Sequence, residues 1–251
     1  MNTLPTELQL LIFAAAAGLD GIGATPSLRV PLPTLFAMRS VCRHWHALCT
    51  LLSHAIDLRM HTRLPSPDEL QMIGRAFPLA TALNINERQC GYLTDKWING
   101  LHAPFPNLLS LCFYNSFAQF SDECLARALS NYTNLSEFFY TGRTGAPGCG
   151  SAVFAALQAC TKLQHLTLYW CNNFDQRDLI AVLKKTPELL TVNVCGCRQL
   201  TDAFLHAVVE HCPKIQRVVA TFIPLFSAKS IRALLSHCRI FYYDRPTFVY
   251  Y

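Results

Sequence analysis

An apolar pattern with a period near 26 residues constrains this 251-residue chain more than any other feature. It is most regular over residues 160–221. One copy runs Cys160, Leu163, Leu166, Leu168, Cys171, Phe174, Leu179, Leu183. The next runs Pro187, Leu189, Val192, Val194, Cys197, Leu200, Leu205, Val209, and a third begins at Cys212-Pro213, Ile215, Val218, Ala220. The central apolar position of the strand part recurs at Ile56, Leu83, Leu111, Phe138, Leu166, Val192, Val218 and Tyr243, in steps of 27, 28, 27, 28, 26, 26 and 25. Each unit predicts a short strand, a turn and a helix. None can bury its apolar side alone, so neighbours must stack into one continuous core.

Between the strands the same words return. Leu93-Thr94-Asp95, Phe120-Ser121-Asp122, Phe174-Asp175 and Leu200-Thr201-Asp202 each precede a helical apolar pattern. The Thr, Ser or Asp there predicts a helix cap. Phe77-Pro78, Phe105-Pro106, Thr186-Pro187 and Cys212-Pro213 predict helix ends, because proline disfavours a helical residue before it. The spacing L-x-x-L-x-L-x-x-C-x-x-L with these turn words resembles the cysteine-containing leucine-rich repeats. That resemblance implies an α/β solenoid over residues 55–238, about seven repeats, with parallel strands on the concave side and helices on the convex side. Residues 135–160 form the weakest unit, since Gly142, Gly145, Gly148 and Gly150 replace the turn word, and 141–151 is read as a loop. The aromatic segment 239–251 predicts a C-terminal cap or tail, because a terminal repeat exposes its core side.

Twelve cysteines would permit a disulfide framework, but the repeat places Cys171 and Cys197 after strands and Cys160, Cys212 and Cys238 at helix ends. At inward, repeated positions a cysteine acts as a small hydrophobe, which predicts a reduced, intracellular chain, in cytoplasm or nucleus, with a cilium possible for an assembly subunit. No metal site is expected, as Cys195-Gly196-Cys197 lacks the two-residue spacer of zinc sites. The net charge of +5 is spread thinly, with only Arg39–Arg43 locally basic, so no nucleic-acid face is expected. No stretch is long and apolar enough for a membrane span, and no cofactor is expected.

Before the repeats, Leu8, Leu11 and Ile12 share a helical face behind Pro5, and Leu35, Met38, Val41, Cys42, Trp45 and Leu48 line a second helix. Gly18, Gly21, Gly23, Pro26, Pro31 and Pro33 place a loop at 18–33 between them. The order Leu4-Pro5-x-Glu7, Ile12-Phe13, then Val41-Cys42-Arg43-x-Trp45-x-x-Leu48 resembles an F-box. It departs from that pattern in its longer loop and in lacking a following tryptophan. With the repeats, the chain resembles F-box proteins of the leucine-rich class, with an F-box-like module at 1–54. The resemblance implies docking on a Skp-type adaptor, and through it a cullin, by Leu4, Pro5, Leu8, Ile12, Phe13, Val41, Cys42 and Trp45.

No catalytic residue is expected. Cys42 and His46 share a face, but with Val41 and Trp45 that face reads as packing or docking, and no G-x-S-x-G, H-E-x-x-H or phosphate-loop motif occurs. Function should lie on the outward side of the strands, where alternate residues leave the core. Ala82, Asn84, Ser110, Cys112, Thr167 and Cys195 are among those residues, and the candidate partner-binding set is Tyr114, Glu137, Phe139, His165, Tyr169, Asn193 and Arg217. Tyr114, Phe139 and Tyr169 come from consecutive repeats, which predicts an aromatic row suited to protein contacts. Two functions follow. One is a non-catalytic substrate receptor of a Skp–cullin–F-box ubiquitin ligase. The other is a structural scaffold subunit of a large assembly, such as a ciliary complex.

Overall fold

A computed structural model describes residues 55–57 (backbone only), 64–86, 93–114, 119–142, 149–224 and 226–243. The F-box-like module and all eight residues assigned to adaptor docking lie outside the described residues. Eight strands, β1 (Ala55–Asp57), β2 (Ala82–Asn86), β3 (Ser110–Tyr114), β4 (Glu137–Thr141), β5 (His165–Tyr169), β6 (Thr191–Asn193), β7 (Arg217–Val219) and β8 (Ile240–Tyr242), form one parallel sheet in chain order. Between them run helices α1 (Pro67–Ala76), α2 (Asp95–Asn99), α3 (Asp122–Leu129), α4 (Ser151–Leu157), α5 (Gln176–Lys185), α6 (Asp202–His211) and α7 (Ala228–Leu235). Each strand pairs only with its neighbours in sequence, and from α2 to α7 each helix packs on the next. This is an α/β leucine-rich-repeat solenoid with the sheet on its concave side.

The register follows the repeat. Leu83, Leu111, Phe138, Leu166, Val192 and Val218 stand side by side and have no solvent exposure. Burying each such side chain contributes about 1.5–3 kcal/mol. The last step differs from expectation. Val218 pairs with Phe241, not Tyr243, so the step is 241 − 218 = 23. In the preceding units a turn folds back after the helix, as where Leu163 N–H donates to Cys160 O and Ile215 N–H to Cys212 O. Cys238 instead runs directly into β8, and the residues of that turn are missing.

The weakest unit in sequence carries both a strand and a helix. Thr141 ends a five-residue strand and Gly150 caps α4, so 141–151 is not wholly loop. Aromatic side chains take over the filling role of leucine there: Phe113 lies 6.0–6.5 Å from the rings of Phe120, Phe138 and Tyr140. Pro106 does not end a helix. α2 stops at Asn99, six residues before Phe105, where Gly100 follows.

The helix starts carry a device that the turn words only half disclose. Ser121, Asp175, Thr201 and Ser227 cap their own helices through side-chain oxygens, whereas Thr94 makes no such bond. The first residue of α2, α3, α5 and α6 then reaches the cap of the following helix. Asp95 accepts from Ser121 N–H at 2.7 Å, and Asp202 accepts from Ser227 N–H at 2.7 Å. Gln176 Oε1 accepts from Thr201 N–H and hydroxyl. Asp122 accepts from both Gly150 N–H (2.6 Å) and Ala152 N–H (2.8 Å), supplying the helix start whose glycine cap has no side chain. The pattern reverses at Ser151, whose hydroxyl donates to Asp178. It ends at α7, which begins with Ala228.

The nine described cysteines are buried free thiols. Cys160 donates to Tyr132 O and Cys197 to Leu168 O, each in the preceding repeat. Burial pushes the Cys160 thiol up to about 11 and that of Cys212 to about 12. Cys171 is raised by its hydrogen bond to the Cys149 thiol and by burial. These thiols are poor nucleophiles. Among the described residues, no helix is long and apolar enough to cross a membrane, and no group of three or more His, Cys, Asp or Glu is placed to hold a metal ion.

Candidate functional site

The outward positions of the strands form three rows running across the sheet. The first, at the strands' N-terminal ends, is Ser110, Glu137, His165, Thr191, Arg217. Its members are tied in pairs. Ser110 Oγ donates to Glu137 Oε2 at 2.6 Å, and His165 Nδ1 lies 2.8 Å from Thr191 Oγ1. Arg217 is exposed and holds its guanidinium over the Tyr242 ring, 5.4 Å from the centroid.

The second row is Asn84, Cys112, Phe139, Thr167, Asn193, Val219. Two of these do not reach solvent: Asn84 is 3% and Cys112 2% exposed, although their register points them outward. Cys112 is short, and it sits beside Phe139 in its row and two residues from Tyr114 on its own strand. In the third row Cys195 is likewise buried, with Thr221 Oγ1 donating to its sulfur at 3.0 Å.

Tyr114, Phe139 and Tyr169 come together. The Tyr114 and Phe139 centroids are 4.3 Å apart, tilted by 32°, and those of Phe139 and Tyr169 are 6.1 Å apart. All three are half-buried. Asn193, also half-buried, accepts from Cys195 N–H through its side-chain oxygen. The seven residues chosen from the sequence thus share one face. Their rigidity comes from the sheet below, which fixes the backbone of every contributing strand.

A second aromatic group was not foreseen. Just beyond the strands, one register position is filled in turn by Gly142, Trp170, Gly196 and Phe222. Trp170 (φ 55°) and Phe222 (φ 60°) hold left-handed backbone, as does Gly196 (φ 76°). A left-handed residue with a side chain costs about 1–2 kcal/mol. The Trp170 ring lies flat on Gly196, so closely that a Cβ there would stand 2.5 Å from the ring. Across the glycine it stacks on Phe222, at 5.7 Å and 28°. Arg198 covers the Trp170 ring at 5.5 Å. The repeated spacing 170, 196, 222 would have located this ledge, but the positive φ values have no sequence signal at Trp or Phe.

No family model matches the chain. Among solved structures, the leucine-rich-repeat-containing protein LegL7 from Legionella pneumophila superposes with a TM-score of 0.52 at 12% identity, over 84% of this chain and 72% of that one. A structure of the Rad7 and Elc1 complex in yeast matches with a TM-score of 0.41 at 14% identity, over 80% and 66% of the two chains. A protein from Bacteroides fragilis matches at 0.37 and 11%, over 77% and 76%. At such identities the likeness to LegL7 is one of fold, and that fold is the one read from the register above: this chain is built as a leucine-rich-repeat protein.

Proposed function

We propose that the chain is a non-catalytic protein-interaction module, the substrate receptor of a Skp–cullin–F-box ubiquitin ligase. The observation that carries the interaction reading is the continuous aromatic row Tyr114–Phe139–Tyr169 on the strand face. Half-buried aromatics on a fixed backbone offer contact area at small entropic cost, as recognition surfaces do. The ligase assignment rests on the sequence between Leu4 and Leu48, where Pro5, Ile12, Phe13, Val41, Cys42 and Trp45 would meet the adaptor. The strand face would then position a substrate and perform no chemistry.

A second reading is a structural subunit of a larger assembly. It is favoured by the C-terminal end of the stack, where Leu235 (54%), Ile240 (40%) and Tyr242 (51%) are exposed. Purification from the native source separates the two. A Skp-type adaptor and a cullin should accompany the chain, and Pro5→Ala with Trp45→Ala should remove both. A fixed large complex containing neither would overturn the ligase reading.

A further inference from the structure

Register gives the C-terminal half of the strand face the form of a shallow trough, with the smaller Asn193 and Val219 between two tyrosines. Tyr169 walls one side and Tyr242, under the Arg217 guanidinium, walls the other. Asn193 and Val219 form the floor, and the Trp170–Phe222 ledge closes the end at which the strands finish. Phe222 is 42% exposed and Tyr242 51%. Two left-handed aromatic residues are retained here at an energetic cost, and Phe222 still presents part of its ring to solvent. Strain of this kind gathers at sites that act on something else.

The charge of the trough has one sign. Arg217 is exposed, and its guanidinium over the Tyr242 ring is placed to make bidentate contact with a carboxylate. Beyond β5 the described carboxylates lie elsewhere: Asp175, Asp178 and Asp202 at helix starts, Glu188 paired with Lys214, and Glu210 on α6. Glu137, the acid of the first row, is held by Ser110 two strands away from the trough floor.

We infer that this trough binds an extended acidic peptide segment of a partner protein, with a bulky apolar anchor against the Trp170–Phe222 ledge and a carboxylate on Arg217. The inference rests on the protein-interaction reading above and names the partner's chemistry. Arg217 and the ledge stand at opposite ends of a strand and its exit, about 13 Å apart at the rise of a strand. An extended segment covers that span in about four residues. Single-stranded nucleic acid also stacks on aromatic side chains, but it needs a run of cations along its backbone, and among the described outward strand positions Arg217 is the one Lys or Arg.

The test uses the full chain and fluorescein-labelled decapeptides read by anisotropy. The reference peptide carries one phenylalanine and, four residues on, two aspartates in a serine and glycine background. It should bind at least tenfold more tightly than the same peptide with lysines for the aspartates, or with alanine for the phenylalanine. Arg217→Glu should invert the preference between aspartate and lysine peptides, an outcome that mere loss of structure cannot produce. Phe222→Ser should weaken both phenylalanine peptides at least fivefold with an unchanged thermal midpoint. Equal binding of the two charge forms, no binding of the reference peptide, an unaltered preference in Arg217→Glu, or displacement by a twelve-nucleotide oligouridine would each overturn the proposal. A partner captured through Phe139 but indifferent to Arg217 would overturn it too, while leaving the interaction reading intact.

Discussion

Phe139 stacks on Tyr114 with a centroid separation of 4.3 Å, although the two side chains leave the sheet in different rows. Phe139 pairs in register with Cys112, and Thr141 with Tyr169. The row is therefore a zigzag, in which Phe139 bridges two tyrosines on either side of the smaller Thr141. Removing either ring of the first pair should cost little stability, since both are half-buried. A double-mutant cycle of Tyr114→Ala and Phe139→Ala in urea should give a coupling of about 0.5–1.5 kcal/mol. A coupling near zero would mean that the rings touch without supporting each other.

Gly196→Ala should be among the most damaging changes available on the strand face. It meets the Trp170 ring at 2.5 Å and places a Cβ on backbone at φ 76°. The expected loss is about 2–4 kcal/mol, combining overpacking with left-handed strain. In a Trp170→Ala background the steric part should vanish, leaving about 1–2 kcal/mol. Urea unfolding of the four proteins checks both values.

Asp122→Ala should cost more than Asp95→Ala. Asp122 alone supplies the start of α4, whereas the helix beyond Asp95 keeps its own Ser121 cap. The expected losses are about 2–3 kcal/mol for Asp122 and about 1 kcal/mol for Asp95. The reverse order, measured by denaturant midpoint, would remove the inter-repeat role assigned to Asp122.

Two pH limbs follow from the titrating groups. Hydrogen bonds from Ser227 hold the Asp202 carboxyl below the usual range. A depressed folded value stabilises above the unfolded pKa, and that stabilisation disappears as pH falls through the folded one. Asp202→Asn should therefore lose stability at neutral pH and show a shallower decline below about pH 4. Cys160 and Cys212 act on the other side. Their folded values, about 11 and about 12, lie above the ordinary thiol value of 9.0. Their contribution is complete below the unfolded value and is lost as pH rises through the folded ones. Cys212→Ala should flatten the alkaline decline between roughly pH 9 and 12, measured by thermal midpoint.

The nine described thiols should also resist iodoacetamide at pH 8 and react on addition of urea. Modification of Cys160 or Cys212 in the folded chain, seen by peptide mass mapping, would contradict their complete burial.

The register was legible because it depends on one repeated apolar position, from Leu83 to Val218. It failed at Tyr243 because the final connection drops a turn, and the period carries no information about a deletion in the last unit. The Thr-Asp and Ser-Asp words were visible as caps, but not that Asp95 and Asp202 cap the next helix, since that partner lies 25 or 26 residues away. Tyr114, Phe139 and Tyr169 could be placed on one face by alternation alone. Cys112 and Asn84 could not be separated from them, because alternation gives direction and larger neighbours decide exposure.

By itself the sequence determined the architecture of the repeats. A period of 26–28 residues that leaves an apolar face on every unit admits stacking and little else. It also determined which side chains leave the sheet, because strand alternation is a property of the backbone. Tertiary structure alone decided how those side chains meet. The Trp170 ring rests on Gly196 and reaches Phe222, and Arg217 turns toward Tyr242 on the following strand. Such contacts join residues two repeats apart or lying diagonally across strands. They depend on rotamers and left-handed turns that no local pattern encodes.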